Sequence, residues 1–146
     1  MYSTIVVPVD GSEAASTALD IACKLASADG ARLHILHIPE SLAHDTLLVW
    51  GVGAVPMEAS AEKLERAGRQ LLDAATQAAS ERGITNAEGS LHQGDPARVI
   101  IEQAKKLDAD AIVMGSRGLS DIAGLVVGSV SHKVSHTAPC HVISVH

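Results

Sequence analysis

A chain of 146 residues is one domain's worth, read here as residues 1–146, and a net charge of −6 spread along it offers no electrostatic footprint for nucleic acid or an anionic membrane. With 47% hydrophobic residues but no Phe, one Trp (Trp50) and one Tyr (Tyr2), the core must be filled by aliphatic side chains and alanines. No apolar stretch is long enough for membrane insertion, no basic segment precedes the apolar run Ile5 to Val9, and Cys23 and Cys140 form no CxxC pair, so a cytoplasmic protein with two reduced thiols is expected.

Thr4 to Val9 is a continuous apolar run, as in a strand buried on both faces, and Pro8 marks its end. Asp10-Gly11-Ser12 turns the chain, and Ser12 caps a helix whose Ala15, Leu19, Ala22 and Ala26 recur on one face until Gly30 stops it. Arg32 to Ile38 reads as a second strand. Residues 39–56 read as a long excursion with a short helical piece, in which Leu47 to Trp50 are expected to cover a ligand pocket or meet a protein. Glu58 to Arg82 is a long amphipathic helix, and Ala87 to His92 a weak strand suited to a sheet edge. Asp95-Pro96 opens the next helix, Asp110 to Met114 is a buried strand, Gly128-Ser129 opens a last short helix, and Cys140 to Val145 is the final strand.

This alternation predicts a three-layer α/β sandwich: a parallel sheet with right-handed crossovers and helices on both faces. In such folds ligands bind beyond the carboxyl ends of the strands, where the winding reverses. The loop from Gly115 to Ser131 stands out there. Gly115 follows a strand, Gly118 comes three residues later, and Gly128-Ser129 starts a helix. Glycines let backbone amides form an anion nest, and the helix start adds unpaired N–H groups. Ser129 and Ser131 bring hydroxyls, and Arg117 a cation. Each glycine alone also fits a plain connecting loop; the ordered combination favours phosphate.

Gly115-x-x-Gly118, nine residues, then Gly128-Ser129 resembles the G-2x-G-9x-G-(S/T) signature of the ATP-binding universal stress proteins, and the likeness extends from Ile5–Ser12 through Leu33–Ile38 to Gly128–Val145. The resemblance implies five parallel strands in order 3-2-1-4-5, a homodimer, and ATP held with Mg or Mn between strands one and four. It further implies that Asp10 faces the ribose and a metal-bridged phosphate, that Ile38 and Met114 border the adenine with Pro8 nearby, and that Gly115 lies under the ribose. Gly118, Gly128, Ser129 and Val130 would then hold phosphates through backbone groups; Ser116, Arg117 and Ser131 are added from their placement in the loop.

There is no GxxxxGK[ST], no glycine fingerprint after the first strand, and no acceptor aspartate after the third, where Gln93-Gly94 stands. No catalytic residue is assigned. A regulatory, stress-response ATP-binding protein with slow or no hydrolysis is expected, its nucleotide changing a dimer or partner surface. The alternatives are a nucleotide-free interaction scaffold of the same fold and a weak ATPase or autophosphorylating protein. His132 and His136, four apart, make only a weak zinc signal, and solvated or hydrogen-bonded histidines are expected. The last strand carries no guarding charge or proline, so pairing of Cys140–Val145 with its twin is expected to make the dimer.

Overall fold

The computed structural model describes residues 2–39, 46–49, 53–56, 61–116 and 129–146. The elements in chain order are β1 (Thr4–Pro8), α1 (Glu13–Asp29), β2 (Arg32–His37), β3 (Thr46–Val49), β4 (Gly53–Pro56), α2 (Ala61–Glu81), β5 (Ala87–Leu91), α3 (Pro96–Lys106), β6 (Ala111–Gly115), α4 (Ser129–Thr137) and β7 (His141–Val145). Five strands form a parallel sheet in the order β5-β2-β1-β6-β7. Numbered among themselves, these are strands 3-2-1-4-5, the expected winding.

The caps follow local chemistry. Ser12 accepts the Ala15 N–H at 3.2 Å to start α1, and Gly30, at φ 68°, ends it in the left-handed region that glycine enters without Cβ strain. Asp95 accepts the Arg98 N–H at 3.0 Å, and Pro96 follows at a position whose N–H would be orphaned anyway. The segment after β2 differs from its expectation: β3 and β4 pair antiparallel, from Thr46↔Pro56 to Val49↔Gly53. A short apolar run closed by glycines is too brief for a helix nucleus and suits a hairpin, so β pairing wins over the expected helical piece. Trp50 lies outside the described residues.

Successive strand residues face opposite sides of the sheet and divide the core in two. Ile5, Val7, Val9, Leu33, Ile35 and Val113 pack against the alanine-rich faces of α1 and α2. Val6, Leu36, Ile38, Ile112 and Met114 pack against α3 and α4 through Val99, Ile100 and Val134. Small helical side chains let α1 lie close to the sheet, which is how a core without phenylalanine reaches native density.

Two half-buried histidines on the β5 side tie stability to pH. His34 of β2 stands opposite Glu88 of β5, Nδ1 to carboxylate 3.9 Å, yet burial outweighs that neighbour and holds the imidazole below its ordinary value. His92 is lowered in the same way, first by burial and then by Lys106. A histidine whose folded pKa is depressed contributes its full share of stability above the unfolded value of about 6.5 and loses it as pH falls through the folded one. Asp110, whose carboxylate accepts the N–H groups of Ser3 (2.7 Å) and Thr4 (2.9 Å), is also depressed, and its share is lost only at more acid pH. Urea midpoints are therefore expected to fall between about pH 7.5 and about pH 5, and a His34→Gln/His92→Gln double variant to flatten that fall.

Candidate functional site

The winding reverses between β1 and β6, and there the sheet opens. β1 pairs with β2 over five residues, from Thr4↔Arg32 to Pro8↔Leu36, but with β6 only over Ile5↔Ala111 and Val6↔Ile112. The cause is local. The Val9 N–H donates to the Leu36 carbonyl at 2.8 Å, so alternation turns the amide of residue 8 toward β6. Residue 8 is proline and has no N–H to give. The β1–β6 ladder stops short of it, and it is at such a reversal, beyond the carboxyl ends of the two strands, that open parallel sheets form a ligand crevice.

Pro8 lies in register with Leu36 and shares Val6's side of β1 by alternation, while Ile38 and Met114 belong to the same apolar cluster on the α3–α4 face. Val130, in the first turn of α4, packs against that cluster. Pro8, Ile38, Met114 and Val130 thus converge on one face at the ends of three adjacent strands. Asp10, just past β1, is half-buried; its Oδ1 accepts the Ser12 N–H at 2.9 Å, and its Oδ2 has no protein partner among the described residues. Ser129 is exposed at the start of α4, where first-turn N–H groups have no intrahelical acceptor.

Three other residues of the predicted set make contacts within the fold. A Cβ on Gly115 would stand 2.7 Å from the Ala14 Cβ and 3.0 Å from the Ala14 carbonyl carbon, so its missing side chain makes room for α1. Ser116 is buried; its N–H donates to the Val145 carbonyl at 2.7 Å, and its hydroxyl lies 2.8 Å from His146 Nδ1. Ser131 is also buried, its hydroxyl 3.2 Å from that of Ser144 on β7. These two hydroxyls brace the loop's ends against β7 and the residue that follows it. Arg117, Gly118 and Gly128 lie outside the described residues.

One contributor escaped the sequence reading. His37, buried at the end of β2, places Nδ1 2.8 Å from the Val9 carbonyl. A carbonyl only accepts, so Nδ1 carries the proton, and the bond ties the end of β1 to that of β2 beside the crevice. Strand alternation marks this position as inward but does not reveal its partner. Among the described residues no three His, Cys, Asp or Glu side chains gather as a metal site, and no helix is long and apolar enough to cross a membrane.

The whole chain, residues 1–146, matches the model of the universal stress protein family, and the protein belongs to that family. It is 35% identical over 148 residues to universal stress protein YxiE of Bacillus subtilis, covering 99% of each chain. Among solved structures it resembles the universal stress protein UspA of Lactobacillus plantarum at 26% identity and TM-score 0.79, with 99% and 98% of the two chains covered. It also resembles a universal stress protein crystallised in complex with cAMP, at 30% identity and TM-score 0.72, with 99% and 97% covered.

Proposed function

We propose that this protein is a regulatory ATP-binding domain that holds its nucleotide in the β1–β6 crevice and hydrolyses it slowly or not at all. The observation that carries the reading is the convergence of Pro8, Ile38, Met114 and Val130 on one face where the ladder stops. That apolar floor suits a purine, and the half-buried Asp10 beside it leaves one carboxylate oxygen able to accept from a ribose hydroxyl. The first-turn N–H groups of Ser129 and Val130 suit an anion, and Arg117, Gly118 and Gly128 of the adjoining loop would complete a phosphate cradle. The similarity to a universal stress protein crystallised in complex with cAMP supports an adenine nucleotide as the ligand. A Mg or Mn ion would enter with the phosphates, near Asp10, and neutralise their charge.

Gly115, Ser116 and Ser131 have a supporting role in this reading: the first seats α1, and the two serines hold the loop's roots against β7. Nucleotide occupancy would then bear on β7, the sheet edge through which we expect a second copy to pair or a regulatory protein to dock. The test is mass identification of whatever nucleotide leaves the freshly purified, denatured protein, together with calorimetry using ATP, ADP, AMP and cAMP. Release of an adenine nucleotide and saturable binding are expected. No released nucleotide and no binding heat would favour the nucleotide-free scaffold; phosphate release at many turnovers per minute would favour an ATPase.

A further inference from the structure

The outer face of α4 carries a second feature, independent of the nucleotide reading. Ser131 and Val134 turn the inner face of this helix into the core, whereas His132 and His136 are both exposed. Residues four apart on a helix stack one turn above the other, with Cβ atoms about 6 Å apart. Here the two imidazoles meet, with ring centroids 4.4 Å apart and planes at 64°. Neither ring has a hydrogen bond or ion pair with another described residue, so no structural partner explains the pairing. Nitrogen ligands sit about 2.0–2.1 Å from a zinc-class ion, which places two ligating ring centres roughly 5 Å apart. The rings stand close to that spacing before any ion arrives.

We infer that His132 and His136 form a two-imidazole chelate for a borderline divalent cation of the zinc, nickel or copper class. Imidazole nitrogen selects these ions over magnesium and calcium, which prefer oxygen. The remaining positions are filled by water, so this is an exchangeable surface site rather than a closed four-ligand structural one. Two further features favour a cation there. His136 lies in the last turn of α4, where the helix dipole is negative, and the chain as a whole carries a net charge of −6. Lys133, the one lysine on α4, is offset about 100° around the axis from His132.

The experiment uses the full chain, stripped with a chelator and free of nucleotide, titrated with zinc chloride by calorimetry. Binding at one ion per chain is expected, and magnesium chloride should give no competing heat. Loss of a second-shell partner already weakens metal sites about 10–100-fold, so His132→Ala or His136→Ala should each weaken zinc at least about tenfold. The double variant should abolish it, and His141→Ala should leave it intact. Because both side chains are exposed, the metal-free variants should unfold at the wild-type temperature. Addition of paramagnetic nickel should broaden amide resonances around residues 129–137 before others. Unchanged zinc affinity in the double variant, or broadening centred elsewhere, would overturn the assignment.

Discussion

Replacing Gly115 with alanine is expected to destabilise the nucleotide-free protein by about 2 kcal/mol, the middle of the range for forcing a methyl into a packed core. For a domain of this size that corresponds to a melting temperature roughly 4–8 °C lower. The conformation at Gly115 is not in the positive-φ region, so the penalty is steric. The new Cβ would meet the Ala14 Cβ at 2.7 Å, the Ala14 carbonyl carbon at 3.0 Å and the Ala15 nitrogen at 3.1 Å. Two of these are backbone atoms in the first turn of α1, held in place by the Ser12 cap, and they cannot rotate aside. Gly68→Ala makes a useful comparison. Its Cβ would meet Leu91 Cδ1 at 2.8 Å and His37 Cδ2 at 2.9 Å, both side-chain atoms, so a smaller loss is expected. Thermal melts without nucleotide decide the matter. If Gly115 serves only a bound ribose, the melting temperature will stay put and affinity alone will fall.

The alternation of buried runs with amphipathic helices, and the caps at Ser12, Gly30 and Asp95, are local patterns; the architecture was legible because it is built from them. The hairpin of β3 and β4 was less so, because four-residue strands are too short for periodicity to separate from a helical turn. Gly115 illustrates a different limit. A glycine admits close approach by anything, and the chain does not say whether a phosphate, a ribose or the start of α1 arrives. The hydroxyls of Ser116 and Ser131 pose the same difficulty. Their partners, His146 and Ser144, lie 30 and 13 residues away, and only the folded sheet brings them together. Pro8 shows the opposite case. Its missing N–H was visible in the sequence as the end of a strand, but its consequence, an early end to the β1–β6 ladder alone, needed the strand order to be known.

Asp10 carries the sharpest consequence of the nucleotide proposal. Its two carboxylate oxygens have separate tasks: Oδ1 holds the turn into α1 through the Ser12 N–H, and Oδ2 is left for a ligand. Asp10→Asn can keep the first bond, since an amide oxygen still accepts, while the other position becomes an NH₂ group and the charge disappears. Fold stability should therefore change little. A hydrogen bond to a charged group contributes about 1.5–3 kcal/mol, so ATP affinity should fall about 10- to 150-fold. Asp10→Ala should match that loss of affinity and also lower the melting temperature, because the turn bond goes as well. The assignment to a ribose hydroxyl, rather than to phosphate through a metal ion, can be separated by pairing each protein with deoxy-ATP analogues. In the wild type, removing the hydroxyl that Asp10 accepts should cost affinity; in Asp10→Asn the same removal should cost little, because the two losses report one bond. Full additivity of the two losses would detach Asp10 from the ribose. A loss seen only when Mg or Mn is present would move its role to the metal-bridged phosphate.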